Sequence, residues 1–270
     1  MRLKIVFLIL VLPMISPIRE VVGRYRSTSY LKKLIPAKSV VNSFLFFSGD
    51  LEFNLCESDR FVCAHTNKYV VYEFWQCAIE DPNRIYQMAS IDNFSFREEK
   101  MFYLLQETWA QYADPFVRSA LFYYLNRCSK SGFISRGAPE TFDLDPVALI
   151  QFKNFKINNF HIEFQEISDD HIFNLTTHIG DCDYYLIPAG KFNYNLLDAG
   201  KNQGLEMTTV NHKTLKAQLE KNIDKKIILV YKFHPELLNL YEENTIAMID
   251  KYGNLTNSQK NCEELVVTNF

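Results

Sequence analysis

The stretch Asp183-Tyr184-Tyr185-Leu186-Ile187-Pro188-Ala189-Gly190 restricts the fold of this chain more than any other. It is an apolar, β-rich run that meets a Pro/Gly break, and its companion Lys226 to Tyr231 (KIILVY) is apolar almost throughout. Runs of this kind lack the in/out alternation of a half-exposed strand and belong in a parallel sheet covered by helices on both faces. In such a sheet the ligand crevice lies just beyond the carboxyl ends of the strands. The break at residues 187 to 190 therefore marks the place to look for a site.

The rest of the chain alternates accordingly. Val40 to Phe47 reads as a first buried strand entering a loop at Gly49-Asp50, and Phe61 to Ala64 as a second. Lys68 to Ile79 carries Val70, Val71, Phe74, Trp75 and Ala78 at helical spacing, and Asp81-Pro82-Asn83 is expected to end that helix. Phe96 to Cys128 reads as helix, and the looser Ser129 to Pro146 holds the breakers Gly132, Gly137, Pro139 and Pro146. Residues 96–150 are thus expected to be a helical insertion, with an α/β core at 21–95 and 151–270. Afterwards come a strand at His161 to Ile167, a helix at Asp169 to His178 and the strand Tyr184 to Pro188. A polar loop, Lys191 to Met207, precedes the helix Asn211 to Asn222, the KIILVY strand, the helix Pro235 to Tyr241, and strands at Thr245 to Asp250 and Glu264 to Phe270. The expected fold class is α/β, a doubly wound, Rossmann-like sheet with a helical insertion.

Composition excludes little but helps. With 29 Lys+Arg against 32 Asp+Glu the net charge is -3, which gives no global electrostatic case for a nucleic-acid binder. The six cysteines and six histidines show no linear metal-ligand spacing, so no metal site is expected. Residues 1–20 open on Met1-Arg2-Leu3-Lys4 and the apolar run Ile5 to Ile15, which looks like a secretory signal or a membrane anchor without a small-x-small cleavage site. Sequons at Asn93, Asn174 and Asn254 fit that reading but also arise by chance in an Asn-rich chain. Secretion or membrane association, and a buried hydrophobic lead-in, both stay open.

The segment Ser119-Ala120-Leu121-Phe122-Tyr123-Tyr124-Leu125-Asn126-Arg127, with Gly132 five residues later, resembles the end of the target-recognition region in the Dam-like DNA adenine methyltransferase family. Other landmarks agree in order: Phe53-Asn54-Leu55, Glu73-Phe74-Trp75, Asp183-Tyr184-Tyr185-Leu186, KIILVY with Pro235-Glu236-Leu237, and the closing Glu264 to Phe270. The resemblance spans about residues 24 to 270. It implies a cytoplasmic or nuclear protein with an S-adenosylmethionine-dependent methyltransferase fold, in which a base flipped out of the duplex is methylated on its exocyclic amine.

The residues that would perform that chemistry have changed. Where the family has Asp-Pro-Pro-Tyr, this chain has Ile187-Pro188-Ala189-Gly190, without a hydrogen-bond acceptor for the amine or a ring to stack on the base. Loss of one transition-state hydrogen bond typically costs ~10²- to 10³-fold in rate, and loss of a stacking ring about 1–3 kcal/mol of base binding. On the cofactor side, Phe46-Phe47-Ser48-Gly49-Asp50 keeps one glycine of the family's Phe-x-Gly-x-Gly loop, with Phe47 near the place of another. His65 stands where an acidic residue would hold the ribose, and Ser27-Thr28-Ser29 where Gly-Gly-Lys is expected. Asn126, Arg127, Lys130 and Arg136 are the candidate nucleic-acid contacts; a helix C-terminal cap is the competing role for Asn126 and Arg127, and a solvated surface for the basic set.

The expectation is a methyltransferase-fold pseudoenzyme without bound cofactor, acting as a binding or scaffolding subunit for a protein partner such as an active methyltransferase. Two alternatives are an active DNA adenine methyltransferase with atypical motifs, which would use S-adenosylmethionine, and a secreted or membrane-tethered interaction protein on the same scaffold.

Overall fold

The computed structural model describes residues 16–19, 24–90, 98–130, 132, 134, 137–164, 182–192, 195–197, 208–209 and 211–270. In chain order the elements are α1 (Thr28–Leu34), β1 (Val40–Ser43), α2 (Asp50–Cys56), β2 (Phe61–Thr66), α3 (Tyr69–Glu80), α4 (Pro82–Ala89), α5 (Glu99–Thr108), α6 (Pro115–Cys128) and α7 (Pro146–Lys153). Then follow β3 (Phe160–Phe164), β4 (Tyr184–Gly190), β5 (Asn195–Leu197), β6 (Thr208–Thr209), α8 (His212–Lys221), β7 (Ile227–Lys232), α9 (Pro235–Leu240), β8 (Thr245–Asp250) and β9 (Cys262–Thr268). Seven strands form one sheet in the order β3-β2-β1-β4-β7-β9-β8, and β5 and β6 pair as a separate antiparallel ribbon. The strands from β3 to β7 are parallel to their neighbours, whereas β9 runs antiparallel between β7 and β8. The strand order reverses between β1 and β4, which creates a topological switch point at their carboxyl ends. This is an α/β, Rossmann-like sheet with helices on both faces, as expected from the sequence.

Both faces are buried, which explains the apolar character of β4 and β7. Val41, Leu186 and Val230 pack on Leu31 of α1 and Leu55 of α2. The larger core is aromatic: Phe53, Trp75, Phe155 and Phe160 form edge-on and tilted pairs with centroids 4.9 to 5.7 Å apart. Phe74 stacks on Phe122 at 4.8 Å and Tyr123 on Phe152 at 4.7 Å. Each such pair contributes about 0.5–1.5 kcal/mol beyond its buried area. The stacking ties α6 to α3, which the buried Arg118–Glu73 ion pair also joins.

Asp81-Pro82-Asn83 ends α3 as expected, and a new helix follows at once: Asp81 accepts a hydrogen bond from Arg84 N–H at 3.0 Å and starts α4 with Pro82 in its first turn. Two sequence expectations need correction. The expected helix from Phe96 to Cys128 is divided by Asp114-Pro115, where Asp114 accepts from Phe116 N–H at 2.8 Å and α6 begins anew. Proline lacks the N–H that a helix interior needs but is well suited to the first turn. Asp145-Pro146 opens α7 in the same way. The first strand stops at Ser43 rather than Phe47, because the chain turns at Leu45, whose φ is 54°. The helix expected at Asp169 to His178 lies outside the described residues.

The start of the domain is held by one carboxylate. Glu264 of β9 is fully buried and accepts hydrogen bonds from the backbone N–H of Arg26 and Ser27, each at 2.8 Å, and from Lys232 Nζ at 2.5 Å. Glu264→Gln removes the counter-charge of a mostly buried ammonium. We expect it to lower the unfolding free energy by about 3 kcal/mol in urea denaturation, since breaking one side of a buried pair leaves the other uncompensated.

Candidate functional site at the carboxyl edge of the sheet

The turn at Leu45 determines what the crevice can hold. Phe44 N–H donates to Leu186 O of β4 at 2.9 Å, and Phe46 N–H donates to His65 O of β2 at 3.1 Å. The loop from Phe44 to Gly49 is therefore stitched across the ends of both neighbouring strands. Trp75 Nε1–H donates to Phe47 O at 2.7 Å and holds that carbonyl toward α3. Phe44 stacks on His65 with centroids 5.0 Å apart, Phe46 tilts against Trp75 at 5.8 Å, and Phe47 tilts against Phe122 at 6.4 Å. Every residue of the loop is buried. Gly49, at φ 77°, begins α2 with no room for a side chain, since a Cβ there would penetrate the Phe53 ring.

A second segment lies on the loop. Ser16 Oγ donates to Ser48 O at 2.5 Å, and Ile18 is buried in the main core. Arg19 N–H donates to Asn126 Oδ1 at 2.6 Å, while Asn126 Nδ2 donates to Arg19 O at 3.1 Å and to Gly132 O at 2.9 Å. Asn126 is thus fully buried and spent on internal bonds. It is not placed to touch nucleic acid, which corrects that expectation. Gly132, at φ 75°, faces Arg19 closely enough that a Cβ would lie 3.0 Å from Arg19 Cβ. Arg127 is half-buried in the last turn of α6, Lys130 is exposed, and Arg136 lies outside the described residues.

The tetrapeptide Ile187-Pro188-Ala189-Gly190 does not break the strand; it forms the end of β4. Pro188 pairs with Val230 and Gly190 with Tyr231, so the register shifts between them and Ala189 is the bulged residue. A bulge is where a sheet tolerates proline, and Gly190 takes φ 66°. Ile187 and Ala189 are both fully buried. Asp183, at the other end of β4, accepts from Val40 N–H at 2.8 Å, away from the crevice as the sequence indicated.

Three further clusters were not recognised in the sequence. Beyond β4, Phe192 is stacked between His212 at 4.7 Å and His234 at 4.8 Å, beside an open cleft of about 590 Å³ lined also by Asn211, Glu236 and Asn239. His212 Nδ1 lies 3.1 Å from Tyr231 Oη, which lies 3.0 Å from Tyr241 Oη, and burial lowers the His212 pKa. On β2 and β3, Cys63, His65 and Glu163 bring one donor atom each to within 4.8 Å of one another, so donors that linear spacing left apart converge across the sheet. His65 Nε2 lies 3.2 Å from Asn42 Oδ1, and burial lowers its pKa to about 4. The sequence signal was present in the i, i+2 pairs Cys63/His65 and His161/Glu163, which a strand places on one face.

The third cluster lies under the loop. Ser43 Oγ donates to Glu52 Oε1 at 2.6 Å, and burial raises the pKa of this fully enclosed carboxyl to about 7, against the pull of the serine hydrogen bond.

No protein-family model matches the sequence, and no curated protein matches it. Among solved structures, the chain is similar to a TehB-like SAM-dependent methyltransferase from Corynebacterium glutamicum, at 10% identity and a TM-score of 0.36, over 90% of this chain and 86% of that one.

Two predictions follow from this geometry. Glu52 binds its proton more tightly in the folded chain, so its contribution to stability is complete below the unfolded carboxyl pKa and is lost as pH rises through about 7. The unfolding free energy of Glu52→Gln relative to wild type should therefore rise between pH 4.5 and pH 8, by roughly 3 kcal/mol at most. A pH-independent difference between the two proteins would refute the assignment. Asn126→Ala strips the partners from Arg19 N–H, Arg19 O and Gly132 O. Trypsin cleavage after Arg19 should accelerate, with a stability loss of about 2–3 kcal/mol in urea.

Proposed function

We propose that this chain is a pseudoenzyme of the methyltransferase fold, related to the Dam-like DNA adenine methyltransferases, that acts by binding a partner rather than by transferring a methyl group. The observation that carries this reading is the filled carboxyl edge at β1. In this fold the loop after β1 approaches the cofactor through glycines, whose missing side chains leave space for the ligand. Here the equivalent loop contributes the buried rings of Phe44, Phe46 and Phe47, and Ser16 bonds to its backbone. The tetrapeptide at the end of β4 adds only apolar side chains, so it has nothing with which to polarise an exocyclic amine.

The scaffold around these positions supports a selected, folded role. The seven-stranded sheet is complete, and the inserted helices are joined to it by aromatic stacking and by the Arg118–Glu73 pair. A subunit that retains the shape of an active methyltransferase can still present its inserted helices and crest loops to a protein partner, including an active homologue. Loops carried on a rigid sheet accept such reassignment most readily.

The test is a titration of the purified chain with S-adenosylmethionine and S-adenosylhomocysteine, followed by thermal shift and calorimetry. A ligand that binds only the native state raises apparent stability by about 2.7 kcal/mol at one hundred times its dissociation constant. We expect no saturable shift at millimolar ligand. A saturable shift with micromolar affinity would overturn the pseudoenzyme reading and make the chain a methyltransferase with atypical motifs.

A further inference from the structure

The face of β2 and β3 that carries Cys63, His65, His161 and Glu163 has a composition that sheet packing does not require. The parallel register sets Cys63 beside His161 and His65 beside Glu163, so four side chains able to bind a metal occupy a two-by-two patch on one face. Strand spacing of about 4.8 Å and the i, i+2 repeat along each strand make such a patch a natural junction for converging ligands. The donor atoms of Cys63, His65 and Glu163 all lie within 4.8 Å of one another. The Glu163 carboxylate is 3.5 Å from His65 Nδ1 and 3.5 Å from His161 Nε2.

We propose that Cys63, His65 and Glu163 form a binding site for a divalent zinc ion, with the fourth position completed from the solvent side. The donor set decides the metal class. Thiolate, imidazole and carboxylate together select a borderline ion that accepts four ligands, and exclude calcium and magnesium, which take oxygen ligands alone. Four-coordinate zinc bonds of about 2.0–2.3 Å place donor atoms roughly 3.5 Å apart. The donor atoms, within 4.8 Å of one another, need to draw together by about 1.3 Å at most to reach that spacing. His65 is already oriented for ligation through Nδ1, because its Nε2 lies 3.2 Å from Asn42 Oδ1 on β1 and Phe44 stacks on its ring. An outer partner on the second ring nitrogen is the usual companion of a metal-bound histidine. Glu163 is partly exposed, which gives the ion a path of entry. Because β3 is the edge strand, the ion would fasten that edge to β2.

The experiment uses the full chain, reduced and stripped with a chelator, then titrated with Co²⁺ and afterwards with Zn²⁺. We expect one equivalent of Co²⁺ to give a thiolate-to-cobalt charge-transfer band, Zn²⁺ to displace it, and Zn²⁺ to raise the melting temperature. Cys63→Ser should remove the charge-transfer band. Glu163→Gln, which alters a partly exposed carboxylate and should fold normally, should weaken Zn²⁺ binding at least tenfold. The proposal fails if cobalt gives no charge-transfer band, if the band survives in Cys63→Ser, or if Glu163→Gln binds Zn²⁺ with wild-type affinity. If Cys63→Ser does not fold, the Glu163→Gln affinity decides alone. These readouts do not involve S-adenosylmethionine, so they are independent of the pseudoenzyme reading.

Discussion

Two backbone hydrogen bonds govern the functional end of this molecule: Phe44 N–H to Leu186 O and Phe46 N–H to His65 O. They take the loop after β1 across the ends of β4 and β2, where an open α/β sheet would leave its crevice. With the backbone held there, the alternate side chains have only the crevice and the core to enter. Phe44 goes to His65, Phe46 to Trp75 and Phe47 to Phe122. The left-handed turn at Leu45 and the glycine at 49 are the local conditions for that path. The buried Ser43–Glu52 pair lies at its root, where a carboxyl shielded from water keeps its proton more readily than usual.

Asn126 and Gly132 close the same end of the molecule from the other side, and both are occupied with holding Arg19. They hold the segment of residues 16–19 against the end of α6. Ile187, Ala189, Phe47 and His65 are buried as well, so each is constrained by packing.

Much of the fold was legible because the apolar runs of β4 and β7, with the helical periodicity of α3, follow directly from burial on both sides of a parallel sheet. The errors arose where one residue type has two meanings. Pro82 was read only as a helix end and Pro115 as lying within a helix, yet the aspartate before each accepts a hydrogen bond from the next turn and makes the proline a helix start. Phe44 to Phe47 have high β propensity, and their strand assignment failed because tertiary packing turned the chain at Leu45. Pro188 resembled a break because the bulge that accommodates it is a property of the β4–β7 pair. The candidate metal ligands were invisible to linear spacing. Cys63 and Glu163 are a hundred residues apart in sequence, and only the adjacency of β2 and β3 brings them together.

Side chains packed into a crevice and a ligand bound there stabilise a fold in different ways. A methyltransferase with its cofactor present at one hundred times the dissociation constant gains about 2.7 kcal/mol from occupancy, and loses it when the ligand is scarce. A buried phenylalanine contributes about 1.5–3 kcal/mol permanently. Phe44, Phe46 and Phe47 are all buried, so their contribution is present at every ligand concentration. A loop packed in this way takes its conformation from the core and from the ends of the neighbouring strands.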